Sequence, residues 1–252
     1  GSDAVDMKIT TNGLFVTGAT GLLGSYVVKN LLEKSHHHIH CLIRAPDLAH
    51  AYQRLKKRLT LFSAHDKTLN ELESRVSIYL GDISKPKFGL SNHDYQQLTK
   101  LTQKTIHAAA NLSLHESYED LYYINVQGTK TIIEFCLQTE SRYLLYVSSY
   151  SILGTFMFGQ HKPFSEKDFD VGQSFNHLGY QRSKFQSERL IRSHNNGLNW
   201  TIVRPGNLFG QSSDGTYPLS DSDRECAFHD LLKTVIETRT AAMSNLPFDI
   251  TP

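Results

Sequence analysis

The sequence has few cysteines, no long apolar run and almost no net charge, and each absence excludes a class of protein. Its 252 residues contain three widely separated cysteines, Cys41, Cys136 and Cys226. An odd, scattered set is not a disulfide framework, so we expect reduced, buried thiols in a cytoplasmic protein. No apolar run reaches the ~18 residues that a membrane-spanning helix needs, so we expect no membrane span.

Positive and negative charges are nearly balanced, with 26 basic and 25 acidic residues and a formal net charge of +1. This balance argues against a nucleic-acid surface or an acidic tail. A histidine-rich stretch, His36–His38 with His40, invites a metal interpretation. No cysteine or carboxylate cluster nearby completes a tetrahedral ligand set, so we expect no metal site.

The start of the chain, Gly1-Ser2, has the form of a cloning remnant, and Asp3 to Asp6 are not a natural beginning. We therefore expect a monomeric domain of a larger multidomain protein. With 39% hydrophobic and 20% charged residues, the chain can bury one sizeable core, or one domain with a small appendage.

Strand-like and helix-like segments alternate along the first two hundred residues, which predicts parallel strands joined by right-handed helical crossovers. The expected fold class is α/β, a doubly wound parallel sheet of the Rossmann type. We expect this dinucleotide-binding domain over residues 8–210 and the incomplete start of a small C-terminal substrate-binding region over residues 211–252. Two helices of particular interest are a long one over Tyr118–Leu137 and one in the C-terminal region over Cys226–Thr240.

A glycine-rich turn follows the first predicted strand, with Gly18, Gly21 and Gly24 in the spacing G-x-x-G-x-x-G. The first glycine permits a tight turn, the second lets the backbone approach a pyrophosphate, and the third lets helix and strand pack closely. The N-terminus of the following helix offers free N–H groups to phosphates. The turn therefore predicts a dinucleotide site, with these further contacts: Thr20, Leu22 and Leu23.

The end of the second predicted strand carries Arg44, and no acidic residue occurs before Asp47. An acid at this place binds the ribose 2′-hydroxyl of NAD, whereas an arginine accommodates the 2′-phosphate of NADP. Arg54, in the next helix, can add a second positive charge to the same phosphate. The sequence therefore favours NADPH as the cofactor.

Hydroxyl and amino groups suited to proton donation occur in the second half of the chain. Ser148 and Ser149 end the fifth predicted strand, where an open α/β sheet places its ligand crevice. Tyr180 and Lys184 are four residues apart and share one face of a helix. There the lysine charge is expected to lower the pKa of the phenol, which is near 10 when unperturbed.

These motifs together resemble the extended short-chain dehydrogenase/reductase superfamily. The segments that carry the resemblance follow one another in the order of that superfamily: Thr17–Gly24, Gly81–Ile83, His107–Ala109, Asn125–Thr129, Val147–Ser149, Tyr180 with Lys184, and Arg204–Gly206. In the superfamily the active hydroxyl precedes a glycine, here Gly154, by five residues, which selects Ser149 over Ser148. The resemblance implies that Ser149, Tyr180 and Lys184 are the catalytic residues, with Tyr180 and Lys184 also contacting the cofactor.

The resemblance also implies cofactor contacts outside the glycine-rich turn. They are Asp82 and Ile83 beside the adenine, Ala108, Ala109 and Ala110 along the nicotinamide half, Pro205, Gly206 and Asn207 near the nicotinamide, and Asn125 in the helix behind the site. Of these, Asn125 is expected to be more structural than chemical.

Within the superfamily, the chain is most similar to thioester reductase domains, which end nonribosomal peptide and polyketide assembly lines and occur in carboxylic acid reductases. The cues are Cys41–Ala45 with Arg54-Leu55, His107–Ala110, Tyr122–Thr129, Arg204–Gly210 with Asp214-Gly215, and Ile250–Pro252, which is similar to the start of a TPVD segment. This resemblance implies that NADPH reduces an acyl or peptidyl thioester held on a phosphopantetheinyl carrier protein. The product is an aldehyde, with further reduction to an alcohol left open.

Two other functions remain open at this level. The first is an extended short-chain dehydrogenase, epimerase or dehydratase that acts on a nucleotide sugar or on a free alcohol or ketone. Such enzymes usually have an acidic residue where Arg44 stands. The second is a non-catalytic module that senses NADP, although such a module is expected to lose hydroxyls such as Ser149 and Tyr180.

Overall fold

A six-stranded parallel sheet forms the centre of the protein in the computed structural model, which describes residues 13–111, 117–155, 164–176, 178–208 and 250–251. Its strands are β1 (Gly13–Thr17), β2 (His38–Ile43), β3 (Val76–Leu80), β4 (Thr102–His107), β5 (Tyr143–Val147) and β6 (Asn199–Val203). All neighbouring strands pair in parallel, in the order β3-β2-β1-β4-β5-β6. The predicted doubly wound Rossmann sheet is thereby confirmed.

Helices connect the strands and pack on the sheet. They are α1 (Leu22–Lys34), α2 (Leu48–Leu61), α3 (Asp66–Asn70), α4 (Leu72–Arg75), α5 (Asn92–Leu101), α6 (Tyr118–Leu121), α7 (Gly128–Cys136) and α8 (Gly179–Ser193). Side chains cap some of their N-termini: the Asp47 carboxylate accepts a hydrogen bond from the His50 N–H at the start of α2, and the Ser91 hydroxyl accepts one from the Asp94 N–H at the start of α5. Such caps satisfy backbone donors that have no partner within the helix.

Side chains of the central strands alternate between two hydrophobic cores, one on each face of the sheet. On β1, Phe15 belongs to a core with Phe88, Phe135 and Leu144, whereas the next residue, Val16, belongs to the other core. That second core also contains Val28, Leu32, Ile39, Leu55 and Leu59. The alternation follows from the two-residue period of a strand, and burial on both faces explains why β1 is apolar along its length.

Two predicted elements differ in their bounds from the observed ones. The fourth apolar segment of the sequence predicts a strand over Thr105–Ala109, whereas β4 spans Thr102–His107. The alanines that follow β4 therefore lie in the next loop. The long helix predicted over Tyr118–Leu137 is divided, because the segment Tyr122–Gln127 between α6 and α7 is a π-helix. An extra residue within a helix changes which side chains face the core, and π-helical turns occur frequently at functional sites.

The chain divides into two compact units, Gly1–Pro205 and Gly206–Pro252. In the second unit, the described residues are a short parallel pair, β7 (Asn207–Leu208) with β8 (Ile250–Thr251). The boundary expected after residue 210 and the helix expected over Cys226–Thr240 lie outside the described residues. The division into domains 8–210 and 211–252 therefore stays a prediction.

Two of the cysteines, Cys41 on β2 and Cys136 at the end of α7, are free and buried. Burial raises the pKa of each thiol to about 12. Cys226 lies outside the described residues.

None of the helices in the described ranges combines the length and the apolar character required to traverse a bilayer.

Candidate active site

The glycine-rich turn after β1 lies where the chain order of the sheet reverses, between β1 and β4. Gly18 has φ +76°, in the left-handed region that favours glycine. A Cβ at Gly18 would lie 2.6 Å from the backbone of Ala108, and the Ala108 N–H donates to the Thr17 carbonyl over 3.1 Å. A Cβ at Gly24 would overlap the Gly18 carbonyl oxygen. Two of the three glycines are thus required by the packing of the loop itself.

Gly21, the second glycine of the motif, has a different environment. It is exposed and stands at the start of α1, where no described side chain caps the helix. A Cβ at Gly21 would meet a single neighbour, the Gly18 carbonyl oxygen at 3.3 Å, and otherwise point into open space. The uncapped helix N-terminus beside this open position fits the pyrophosphate of a nicotinamide dinucleotide, as predicted from the glycine spacing.

Arginines from α2 hold the glycine-rich turn against the end of β2. Arg54 donates from Nη2 to the Thr20 hydroxyl over 2.8 Å and from Nη1 to the Arg44 carbonyl over 2.6 Å. Arg58 donates from Nε to the Thr20 carbonyl over 2.8 Å. Sequence reasoning did not assign Arg58 to the site, although its position four residues after Arg54 places both on one face of α2.

The Arg44 side chain is 69% exposed, and its Nη1 lies 3.8 Å from the Asp82 carboxylate. Burial alone would raise the pKa of Asp82. Hydrogen bonds from the Ser84 N–H and hydroxyl, together with the Arg44 and Lys85 charges, bring that pKa below its ordinary value. The basic end of β2 therefore faces an ionised carboxylate on the loop after β3.

Ile83, predicted beside the adenine, is a buried residue. A Cβ at Gly128 on α7 would lie 2.8 Å from its Cδ1, so the side chain of Ile83 packs under that helix. Any contact of Ile83 with a cofactor would therefore be made by its backbone.

Asn125, on the π-helix, joins the loop after β4 to α8. Its Oδ1 accepts a hydrogen bond from the Asn111 N–H over 2.8 Å, and its Nδ2 donates to the Asn111 carbonyl over 3.0 Å and to the Ser183 hydroxyl over 2.9 Å. The loop so fixed includes the three alanines Ala108, Ala109 and Ala110. The amide of Asn125 is occupied by partners within the protein, which supports the structural role expected for it.

The predicted catalytic side chains come together at the carboxyl end of β5. Ser149 follows β5, and its side chain lies near enough to that of Tyr180 on α8 to lower the pKa of the phenol. Ser149 Oγ also lies 2.8 Å from Ser151 Oγ and accepts a hydrogen bond from the Ser151 N–H. Ser148, by contrast, is buried, and its hydroxyl has no hydrogen-bond partner among the residues that the structure describes. Of the two serines, Ser149 is thus the one placed beside Tyr180.

Lys184 is buried below this pair. Its Nζ donates to the Val147 carbonyl over 2.8 Å and lies 4.9 Å from the centroid of the Tyr146 ring and 6.0 Å from that of the Tyr180 ring. Burial lowers the pKa of Lys184 to about 7, against the opposing effect of the Glu188 charge.

The expected lowering of the tyrosine pKa by Lys184 is not observed. Burial raises the pKa of Tyr180 to about 12, and the nearby Ser149 side chain opposes this rise. Lys184 is itself only partly protonated near neutral pH, because burial disfavours its charged form. Desolvation therefore dominates the ionisation of the phenol, and Tyr180 keeps its proton at neutral pH.

A buried histidine, His107 at the end of β4, was not identified as part of the site from the sequence. Its Nδ1 lies 2.7 Å from the Thr17 hydroxyl and its Nε2 lies 3.3 Å from the Thr129 hydroxyl. The Thr129 hydroxyl donates to the Asn125 carbonyl, so its oxygen is left to accept from Nε2–H, and Nδ1 accepts from Thr17. Burial, aided by the Lys184 charge, lowers the pKa of His107 to about 3, so the ring is neutral.

The remaining predicted contacts lie after β6. The Pro205 carbonyl accepts a hydrogen bond from the Tyr150 N–H over 3.1 Å, next to Ser149. Gly206 and Asn207 begin the second compact unit, and their contacts with a cofactor stay predictions.

In the histidine-rich stretch, His38 Nε2 lies 2.8 Å from the Ser77 hydroxyl. Across the described ranges, no three His, Cys, Asp or Glu side chains are grouped to hold a metal ion.

Fold and site together define a dinucleotide-binding Rossmann protein with a serine–tyrosine–lysine constellation. Residues 16–251 match the NAD-binding family described as "male sterility protein", and the chain belongs to that family. This confirms the resemblance found in the motifs, and it establishes a nicotinamide dinucleotide as the class of cofactor.

The chain is similar in sequence to one part of several much longer proteins. The chain is 30% identical to an L-2-aminoadipate reductase of Schizosaccharomyces pombe over 222 residues, which cover 82% of this chain and 15% of that protein. It is 30% identical over 220 residues to the nonribosomal peptide synthetase asaC of Aspergillus flavus, covering 84% of this chain and 21% of that protein. The chain thus spans about a fifth or less of the length of these relatives.

Among solved structures, the terminal R domain of the myxalamid PKS-NRPS biosynthetic pathway is similar to this chain. The TM-score is 0.83 and the sequence identity 28%, covering 96% of this chain and 59% of that one. The predicted likeness to terminal reductase domains is confirmed by this match.

Proposed function

We propose that the protein is an NADPH-dependent reductase that releases a carrier-bound acyl or peptidyl thioester as an aldehyde. The observation that carries the proposal is the placement of Ser149 near Tyr180 and buried Lys184, at the carboxyl edge of the sheet. The similarity to reductase domains of peptide and polyketide synthetases supports a thioester as the substrate class.

The choice of NADPH is supported by the basic residues around the glycine-rich turn. Arg44 is largely exposed at the end of β2, and Arg54 lies against it. A guanidinium group can form paired, charge-assisted hydrogen bonds with a phosphate, as the 2′-phosphate of NADPH requires. When bound, NADPH would supply the hydride that no amino-acid side chain can provide.

The hydroxyls of Ser149 and Tyr180 are suited to hold the thioester carbonyl oxygen. Tyr180 keeps its proton at neutral pH, because burial raises its pKa to about 12. It can therefore donate a hydrogen bond to the oxygen as negative charge develops there, and Ser149 can donate a second. Such preorganised donors stabilise the transition state more than the substrate.

In the proposed reaction, Tyr180 would first donate a proton to the substrate and then take it back. NADPH would supply the hydride to the carbonyl carbon, and Tyr180 would give its proton to the carbonyl oxygen, which yields a hemithioacetal. The hydroxyl of the hemithioacetal then returns that proton to Tyr180 as the carbon–sulfur bond breaks. The carrier thiolate leaves and is protonated by solvent, and an aldehyde is released. Repeating the hydride transfer on the aldehyde would give an alcohol.

The partner that follows from this proposal is a carrier protein whose phosphopantetheine arm brings the thioester to the site. The test is to follow NADPH oxidation at 340 nm with a panel of acyl thioesters, first on phosphopantetheinyl carrier protein and then on a short soluble thiol. We expect oxidation with formation of aldehyde, identified by mass spectrometry, and slower oxidation with NADH. Turnover of a nucleotide sugar or a free alcohol in place of every thioester would contradict the proposal.

A further inference from the structure

Glu188 and Arg204 form a buried ion pair behind the candidate active site. Glu188 lies on α8 one turn after Lys184, and its side chain is 0% exposed. Arg204 donates from Nε to Oε1 over 2.9 Å and from Nη2 to Oε2 over 2.7 Å. Two parallel hydrogen bonds of this kind fix orientation as well as distance. Arg192 Nε lies 3.6 Å from the same carboxylate, so the buried negative charge is well compensated.

The backbone on both sides of Arg204 holds the segment that contains Ser149. The Val203 carbonyl accepts a hydrogen bond from the Ser148 N–H over 2.8 Å, and the Pro205 carbonyl accepts one from the Tyr150 N–H over 3.1 Å. Arg204 thus connects the two halves of the site, the segment of Ser149 and helix α8. Its neighbours Val203 and Pro205 bind the backbone around Ser149, and its side chain binds α8.

We propose that the Glu188–Arg204 pair is a positioning device that sets how far Tyr180 and Lys184 on α8 lie from Ser149 at the end of β5. This proposal rests on the proposed reductase function. A buried ion pair adds little net stability compared with apolar side chains of the same volume, whereas its geometry is strongly directional. Its main effect is therefore expected on the placement of the catalytic groups.

The Glu188 carboxylate also acts on Lys184 through its charge. The titratable groups that face Lys184 are His107 on β4, Tyr146 on β5, and Tyr180 and Glu188 on α8. His107 is neutral and both phenols are protonated near pH 7. Glu188 is therefore the charged neighbour that favours the protonated form of Lys184.

Two conservative variants separate position from charge. Glu188→Gln keeps the shape and removes the charge, and Arg204→Lys keeps the charge and removes the two-pronged contact. Displacement of catalytic groups by about 1 Å can cost about 10²-fold in rate, so we expect kcat to fall by about that factor in both variants, with KM for NADPH nearly unchanged. In Glu188→Gln alone, the basic limb of the kcat–pH profile should move to lower pH.

A second measurement needs no cofactor or substrate. Lysine labelled with ¹³C at the ε-carbon, assigned with Lys184→Arg, reports the titration of Lys184 by NMR in the cofactor-free protein. We expect the titration to occur at lower pH in Glu188→Gln and to stay at the wild-type pH in Arg204→Lys. A purely structural role for the pair would lower the melting temperature without this difference between the variants.

Asp170→Asn is the matched control. It breaks an exposed ion pair of 2.8 Å between Asp170 and Arg189, and Arg189 lies on α8 next to Glu188. The control variant should leave kcat, the kcat–pH profile and the NMR titration of Lys184 unchanged. If Glu188→Gln does not fold, Glu188→Asp shifts the carboxylate by one methylene group and should lower kcat at an unchanged pH limb. Wild-type kcat in the folded variants would overturn the positioning role. Failure of the wild-type protein to reduce any thioester would instead overturn the proposed function.

Discussion

Tyr180 and Lys184 are single side chains whose ionisation is set by burial more than by each other. Burial holds the pKa of Tyr180 near 12 and lowers that of Lys184 to about 7, so both groups resist carrying charge before substrate arrives. A protonated phenol is a competent hydrogen-bond donor, and a poorly solvated site strengthens each electrostatic contact within it.

Replacing Tyr180 with phenylalanine should lower the rate of hydride transfer by about 10²–10³-fold, because one of the two donors to the developing oxyanion is lost. The affinity for NADPH should stay close to that of the wild type. Stopped-flow measurement of single-turnover NADPH oxidation and fluorescence titration of NADPH check the two parts. The control is Tyr123→Phe, the same change at a tyrosine that is 66% exposed. Full turnover by the Tyr180 variant would remove it from the catalytic set.

Replacing Arg44 with alanine should weaken NADPH binding by about 10–100-fold, since a hydrogen bond to a charged group is worth about 1.5–3 kcal/mol. NADH lacks the 2′-phosphate, so its affinity should change little. Isothermal titration with both cofactors measures the difference, and Lys56→Ala, at an exposed lysine of α2, is the control. An equal loss for both cofactors would show that Arg44 does not recognise the phosphate.

At this scale, helical spacing could predict that Tyr180 and Lys184 share one face, and a strand end could predict a serine near them. The choice of Ser149 over Ser148 came from the superfamily resemblance. Arg58 and His107 could not be predicted in the same way. Their roles depend on contacts with residues far away in sequence: Arg58 with the Thr20 carbonyl, and His107 with the Thr17 hydroxyl. Burial also reversed the expected direction of the Tyr180 pKa shift, and burial of one side chain is not a property of spacing.

The glycine-rich turn and α1 act as one element, and its glycines should respond differently to the same substitution. Gly24→Ala should destabilise the fold, because the added Cβ overlaps the Gly18 carbonyl oxygen. Gly21→Ala should fold, because its Cβ has one neighbour at 3.3 Å, yet it should lose more than about tenfold in NADPH affinity, or about 1.4 kcal/mol. Thermal denaturation and fluorescence titration separate the two effects. Unchanged affinity in Gly21→Ala would argue against a pyrophosphate at that position.

Four elements named in the sequence were predicted: the first strand, the helix after the glycine-rich turn, the fifth strand and the helix of Tyr180 and Lys184. They are observed as β1, α1, β5 and α8. The π-helix over Tyr122–Gln127 was not, because one extra residue per turn leaves an apolar pattern that still resembles an α-helix. What holds that segment is the amide of Asn125, bonded to Asn111 and Ser183. These are tertiary contacts, so the local sequence does not reveal them.

The stability of the whole molecule should decrease in mild acid because two histidines are buried in their neutral form. Burial lowers the pKa of His40 to about 4 and that of His107 to about 3, from 6.5. As the pH falls below 6.5, the unfolded chain binds protons that the folded chain does not, so unfolding becomes more favourable. For His40 alone the loss is about 2 kcal/mol at pH 5.

His40→Phe should therefore reduce the pH dependence of stability between pH 4 and pH 6.5. The His40 Nδ1 atom is buried and has no hydrogen-bond partner within the described part of the chain, so an apolar ring of similar size is compatible with its environment. Urea denaturation across this pH range measures the change. His36→Phe, at an exposed histidine of the same stretch, is the control and should keep the wild-type slope.

The doubly wound parallel sheet was predicted at the scale of the molecule, since alternating strands and helices with right-handed crossovers leave few arrangements. The position of the site followed from it, because ligands bind where the chain order reverses. In the second unit, Gln211–Pro218 is rich in serine, aspartate and glycine, which predicts a loop. That loop and the helix predicted over Cys226–Thr240 lie outside the described residues.

The burial of Cys41 and Cys136 has a consequence for a protein proposed to handle thioesters. A thiolate within reach of an acyl thioester would capture the acyl group by exchange, and it would compete with reductive release. Each of these thiols is enclosed in the core with a pKa raised to about 12, so neither presents a thiolate at neutral pH. In the described part of the chain, an incoming acyl group therefore meets hydroxyls that can hold it but no cysteine that can divert it.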